Sequence, residues 1–300
     1  TAVGYQALYS STATENTAVG SYAGNHITTG QYNTAIGHDA LFGASGAKTT
    51  GNSNTAVGNN AGKLVQGDGS NNTFIGSDAA PSHTTGDYNC VLGAGSLATN
   101  ADGQGNIVVG YQALKDDTQG DFNIAIGYKA MEDWVANSDG DGSNVAVGKI
   151  AMTNASTGTR NTAVGHGAMG LGVVSTADGN NTALGYASLY DLSVGTSNTA
   201  IGSNTCGNIT TGLYNTALGS SALYTDTDGD YNTALGFQAG YHWKQTAGQG
   251  NNVAVGALAG KGGSVDRDGS AQANDGVANT FVGHKAGWGN SVALEGNYNT

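Results

Sequence analysis

The sequence predicts an all-β chain, a repetitive β-solenoid or β-roll of about sixteen short coils. Three observations carry that expectation. A nine-residue unit, Asn-Thr-Ala-aliphatic-Gly-x-x-Ala-Leu, cleanest at Asn215 to Leu223, returns sixteen times, and a fixed internal period overrides any domain count drawn from length. Glycine contributes 51 of 300 residues and proline only Pro81, which excludes a collagen triplet and makes helices costly, at about 1 kcal/mol per interior glycine. Aromatic residues are 7% of the chain and much of the 38% apolar content is alanine, so one unit cannot close a core alone. It must bury its apolar side against its neighbours.

The unit glycines run from Gly4 through Gly20, Gly37 and Gly58 to Gly256 and Gly283, spaced by 17 residues in eight of fifteen intervals. Intervals of 20 or more arise between units, after Leu41, Met131, Met169, Gly240 and Gly260. Residues 1–300 therefore read as one continuous array. Because it begins at Thr1 and ends at Thr300, both inside a unit, it is expected to be a window of a longer protein.

Within each unit the order Thr, Ala, aliphatic has the period of a strand, which puts Thr and the aliphatic on one face and Ala on the other. The larger aliphatic, Val3 through Val282, is expected to fill a dry core. The Ala column (Ala2, Ala18, Ala35, Ala56, Ala125, Ala146) is then expected to be the face that another strand or chain approaches. Glycine ends the strand, and the following Ala-Leu pair is expected to open a second short strand. A second glycine stands three residues before the next unit Asn in twelve of sixteen cases, among them Gly30, Gly86, Gly212 and Gly229, and is expected to supply the positive φ of a turn. The unit Asn falls at a corner, where its amide is placed to bond the equivalent amides above and below.

The net charge of −12, with ten Lys and Arg, leaves no basic footprint for nucleic acid, and no run of 18 apolar residues suggests membrane insertion. Cys90 and Cys206 stand six units apart, which argues against a disulfide.

The runs Asn144-Val-Ala-Val-Gly148 and Asn252-Val-Ala-Val-Gly256, with the many Asn-Thr-Ala-Val-Gly copies, resemble the head repeats of trimeric autotransporter adhesins. The arrays also resemble repeat regions of phage tail fibres. The resemblance spans the whole chain, although its basal period of 17 is longer than the adhesin repeat. It implies a left-handed β-roll assembled as a fibrous homotrimer or filament, exported to a cell or virion surface, where it spaces or presents a part that binds a glycan or protein receptor.

No motif points to catalysis, a cofactor or a metal. Gly165 to Gly170 spells G-x-G-x-x-G, but its first glycine is the unit glycine and no helix follows to receive a pyrophosphate. Gly58 to Lys63 falls one residue short of a phosphate loop. The six histidines are scattered, and His38, His166 and His284 share a variable slot read as surface. Asp226, Asp228 and Asp230, and more faintly Asp139 and Asp141, are similar to a calcium loop but lack the closing Glu, so a solvated turn is expected. Trp134, Trp243 and Trp288 lie in the longer connections, where each sequence is unique, and are the expected anchors of any specific binding. An ice-binding solenoid is a rival function, since Thr fills the second slot of eleven units.

Overall fold

A computed structural model describes residues 1–43, 48–136, 142–154, 157–171, 179–243, 245, 250–262 and 278–288. Among these the regular structure is all β, in two units that each stack parallel strands in sequence order. The first unit, Thr1–Ile150, holds β1 (Ala2–Val3), β2 (Thr17–Val19), β3 (Thr34–Ile36), β4 (Thr55–Val57), β5 (Thr73–Ile75), β6 (Cys90–Leu92), β7 (Ile107–Val109), β8 (Ile124–Ile126) and β9 (Val145–Val147). The second, Ala151–Thr300, holds β10 (Thr162–Val164), β11 (Thr182–Leu184), β12 (Thr199–Ile201), β13 (Thr216–Leu218), β14 (Thr233–Leu235), β15 (Val253–Val255) and β16 (Thr280–Val282). Within each unit every strand pairs with the next in repeat register, Thr216 against Thr233 and Leu218 against Leu235 being one instance. This is the expected parallel β-solenoid.

The register is held at the corner before each strand. Asn215 receives the backbone N–H of Asn232 on its Oδ1 at 2.9 Å, and its Nδ2 donates to the carbonyl of Gly229 at 2.7 Å. The same pair of bonds recurs at Asn16, Asn33, Asn54, Asn72 and Asn89, and several Nδ2 groups also reach the preceding Asn Oδ1, as from Asn72 to Asn54 at 3.1 Å. The Asn ladder expected from sequence is thus present, and it also grips the second glycine.

That glycine does a different job from the expected one. Gly30, Gly86, Gly212 and Gly229 do not have positive φ; a methyl at Gly212 would stand 2.6 Å from the Gly229 carbonyl oxygen, so what they provide is room for the next coil. The positive φ lies two residues on, at Tyr32, Tyr88, Tyr214 and Tyr231.

Among the described residues the second strand is also absent. After the unit glycine the chain alternates in and out of the left-handed region, with Ser221 at φ 56° and Leu223 at 49°. This alternation reverses successive amides. Ser221 N–H donates back to Ser203 at 2.9 Å and Leu223 N–H donates forward to Ala239 at 3.0 Å, so the turn segment bonds both neighbouring coils without being a strand. Left-handed φ is unfavourable for residues with a Cβ, and these coil-to-coil bonds offset it.

The alternation within the strand is as expected but its direction is reversed. Ala217 is 1% exposed and Leu218 is 48% exposed, and the pattern holds along both units, with Ala18, Ala35, Ala56, Ala125 and Ala146 fully buried while Val19, Ile36, Ile75, Leu92 and Ile126 face out. The Ala column is therefore interior, and the aliphatic column is the outer surface. The cause is width: each coil must also bury Ala222 and Leu223, and the residue seven after the glycine, such as Ile209 and Leu192. Little space is left at the strand's inner position. Where the Leu slot holds glycine, a larger neighbour fills the volume, as Phe74 does beside Gly62 and Trp243 beside Gly240.

Packing of this kind predicts opposite outcomes for adjacent substitutions. Ala217→Leu overfills the interior and should cost about 1–3 kcal/mol, whereas Leu218→Asp should change the stability of the separate chain by no more than about 0.5 kcal/mol. Urea denaturation at dilute protein concentration checks both; a large loss from Leu218→Asp would show that the aliphatic column is interior after all.

Candidate functional site

The strand faces that look outward form the most distinctive surface of the protein. In the second unit, Thr182, Thr199, Thr216 and Thr233 align beside Leu184, Ile201, Leu218 and Leu235. In the first unit the Thr slot changes to Cys90, Ile107, Ile124 and Val145 over β6–β9, so that four consecutive strands present only apolar groups and one thiol outward. No strand among the described residues carries a charged residue. Exposed aromatic residues flank the strands, Phe122 before β8 and Tyr111 and Tyr128 after β7 and β8. Extended apolar surface of this kind marks a place of contact.

Repeat register also lines up the tyrosines. Tyr111 and Tyr128 stack with ring centroids 5.6 Å apart, Tyr214 and Tyr231 at 5.0 Å, and Tyr224 and Tyr241 at 5.3 Å, with planes within 21° of parallel. Each pair is separated by one 17-residue coil.

The expected tryptophan anchors fall largely inside. Trp134 and Trp243 are fully buried, because both occupy the inward slot seven residues after a unit glycine. Trp134 lies over Gly120, and Trp243 packs against Gly240, Gly260 and the ring of Phe281. Only Trp288 reaches solvent, 39% exposed, with the Lys285 ammonium 4.2 Å from its ring centre. The connections that were to carry these anchors lie in large part outside the described residues, at 44–47, 137–141, 172–178, 246–249 and 263–277.

The aspartates of the calcium-like turn are not a solvated set. Asp226 is fully buried and accepts the backbone N–H of Gly229 at 3.2 Å, that of Gln245 at 3.3 Å and the Asn232 amide at 3.2 Å. Asp228 takes the hydroxyls of Thr210 and Thr211, at 3.1 and 2.6 Å, and Asp230 takes the Leu213 N–H at 2.7 Å. Asp139 and Asp141 lie outside the described residues. Among the described residues no group of three or more His, Cys, Asp or Glu is placed to hold a metal.

Asp226 has a counterpart that the sequence reading missed. Asp117, in the same Asp-Thr-x-Gly-Asp context, is also buried and bonds Gly120 N–H at 3.0 Å and Ala136 N–H at 3.4 Å. In both cases the carboxylate sits one coil before a buried Trp and binds backbone of the Trp-bearing coil. Asp117 also ends a buried polar run. His83 Nδ1 lies 3.2 Å from Asn100 Oδ1, and Asn100 Nδ2 donates to Asp117 at 2.8 Å. These three stand 17 residues apart, so the period alone could have linked them. Burial lowers the pKa of His83 and raises that of Asp117.

The remaining motifs resolve as repeat positions. His38, His166 and His284 are exposed, as expected of a surface slot. Lys63 pairs with Asp39 at 3.0 Å, and Gly165 to Gly170 form a bend and turn with no helix among the described residues. Cys90 is exposed and Cys206 buried, both free, and burial together with the Asp226 charge pushes the Cys206 thiol pKa up. No helix of the described residues is long and apolar enough to cross a membrane. Comparison with protein-family models, with curated proteins and with solved structures finds no match.

Burial raises the Asp226 pKa from 3.8 to about 6, with backbone N–H donors opposing the shift and Asp228 and Asp230 adding to it. A folded-state pKa above the unfolded value means the fold holds the proton more tightly. Its stabilising contribution is complete below the unfolded pKa and is lost as pH rises through about 6. At about 1.4 kcal/mol per unit the upper limit is roughly 3 kcal/mol. Asp226→Asn should flatten the pH dependence of stability between pH 4 and 7, measured by urea titration; an unchanged slope would place the titration elsewhere.

Proposed function

We propose that this chain is a non-enzymatic structural segment of an extracellular fibre or adhesin, which spaces or presents a receptor-binding part and associates with copies of itself along its outer strand face. One observation carries the reading: the exposed aliphatic column, uncharged and in register through each unit, is a surface built for continuous lateral contact. The buried polar groups support it from the other side. Asn, Asp and His side chains in the interior bond backbone and one another to hold coils in register, an arrangement suited to a spacer.

Association as a homotrimer follows from the adhesin resemblance, and the alternative, a phage tail-fibre shaft with receptor contacts in the long connections, follows from the tail-fibre resemblance. A glycan or protein receptor is the proposed partner of the assembled fibre. Solution mass tests the association. Three times 29.8 kDa is expected, falling to a single chain when Ile126→Asp and Leu218→Asp are combined. A wild-type chain that stays single at high concentration would overturn it.

A second reading is favoured by the outward Thr column beside the aliphatics in β10–β14, a regular array of hydroxyl and methyl groups that could order water as ice does. A thermal-hysteresis assay separates the two: a large depression of the freezing point, lost in Thr199→Tyr with Thr216→Tyr, would favour ice over self-contact.

A further inference from the structure

We propose that the stacked tyrosine pairs Tyr214–Tyr231 and Tyr111–Tyr128 are sites of oxidative cross-linking, each closing a dityrosine staple between consecutive coils. The inference does not depend on what the fibre presents, because it concerns the chemistry of the side chains themselves.

Geometry comes first. Dityrosine forms when two phenoxyl radicals meet at ring carbons ortho to the oxygen, and the limiting step for most proteins is bringing two rings together. Here the repeat does so in advance. The rings of Tyr214 and Tyr231 lie 5.0 Å apart with planes 12° from parallel, and those of Tyr111 and Tyr128 lie 5.6 Å apart at 19°. Their backbones cannot drift apart. Tyr214 and Tyr231 share the same left-handed corner conformation and donate their N–H groups to Thr196 and Leu213 at 3.1 and 2.9 Å, while Tyr111 accepts the Lys129 N–H at 2.9 Å. All four rings are about half exposed, which admits an oxidant and leaves room for one ring to slip until ortho carbons touch.

Competing electron donors are mostly withdrawn. All three methionines, Met131, Met152 and Met169, are fully buried, as are Trp134, Trp243 and Cys206, which leaves Cys90 and Trp288 as the accessible alternatives. An oxidant that reaches the surface therefore meets tyrosine most often.

The step balances with a peroxide as oxidant and a haem peroxidase as its catalyst. Each phenol gives up one electron and its hydroxyl proton, and hydrogen peroxide takes both electrons and both protons to become two waters. The two radicals join by a carbon–carbon bond between ortho carbons. The protons on those carbons then move to the oxygens, restoring both phenols, so the protein loses two hydrogens in all. Each such bond closes a loop of one coil and ties together segments that otherwise separate by local opening.

The test treats the intact chain with hydrogen peroxide and a peroxidase, then reads dityrosine fluorescence and maps linked peptides by mass spectrometry. Expected are links 214–231 and 111–128 within single chains, a mass lower by two hydrogens per link, and a higher denaturation midpoint. Tyr231→Phe keeps the ring but removes the phenol, so it should delete the first link and leave the second. Tyr5 and Tyr22 lie 5.3 Å apart but meet edge to face at 87°, and should link less. The proposal fails if links scatter over Tyr9, Tyr32 and Tyr88, if they form only between chains, or if the chain unfolded in urea links 214–231 as well as the folded one does.

Discussion

The buried Asn amide at each corner is the constraint on which the rest of the structure depends. At Asn215 the Oδ1 accepts the N–H of Asn232, the next corner Asn, and the Nδ2 donates to the carbonyl of Gly229, three residues before it, so one side chain fixes two backbone points of the following coil. At Asn232, where no glycine holds that position, the Nδ2 donates to Asp226 and Gln245 instead. The register of the strands follows directly, since each strand begins at a corner already aligned with its neighbours. So does the tolerance to insertion. Asn33 reaches Gly51 across 18 residues and Asn54 reaches Gly69 across 15, yet the Gly-x-x-Asn corner is the same in both. The corner Asn is constant while the spacing before it varies, and in coils of longer spacing single bridges such as Thr49 with Gly67 and Asp121 with Gly142 join neighbouring coils upstream of it.

The corner bonds also set how thin the coil is. Gly219 has φ +133°, and a Cβ there would stand 2.5 Å from the Gly236 carbonyl oxygen, so consecutive coils touch backbone to backbone at the unit glycine. The interior across each coil is narrow as well, since the inner strand slot is mostly Ala and Trp134 and Trp243 have glycine beside them. Thinness exposes what a thicker fold would bury. The branched aliphatics go outward, and lateral contact with another surface becomes the way to remove them from water.

The fold class, the period, the strand positions and the Asn ladder were legible because each rests on spacing, and spacing is visible in sequence. The direction of burial was not. Alternation assigns Thr216 and Leu218 to one face and Ala217 to the other, but nothing local says which face is inside; the usual preference for burying Leu over Ala pointed the wrong way. The conformation of Ser221 and Leu223 was hidden for a similar reason, since left-handed φ at residues with a Cβ is paid for by bonds to other coils. As for the candidate site, reading Asp226 and Trp243 along the chain suggested a wet turn and an exposed anchor. Reading them down the 17-residue column puts them in the core, as Asp117 and Trp134 are in the equivalent coils of the first unit.

A repeating surface carries its own difficulty for any partner. When each coil presents Thr and an aliphatic in the same places, sliding by one coil replaces each contact with an equivalent one, and register is weakly specified. The departures from the repeat then matter most. Over β6–β9 the Thr slot becomes Cys90, Ile107, Ile124 and Val145, and Phe122, Tyr111 and Tyr128 rise beside them, so this block differs from the Thr-bearing strands of β11–β14. Two copies displaced along the face would set apolar groups of this block against Thr hydroxyls and lose burial. Aligned copies keep apolar against apolar. In the proposed self-association, the block that breaks the repeat is therefore the feature able to fix how copies of this chain align.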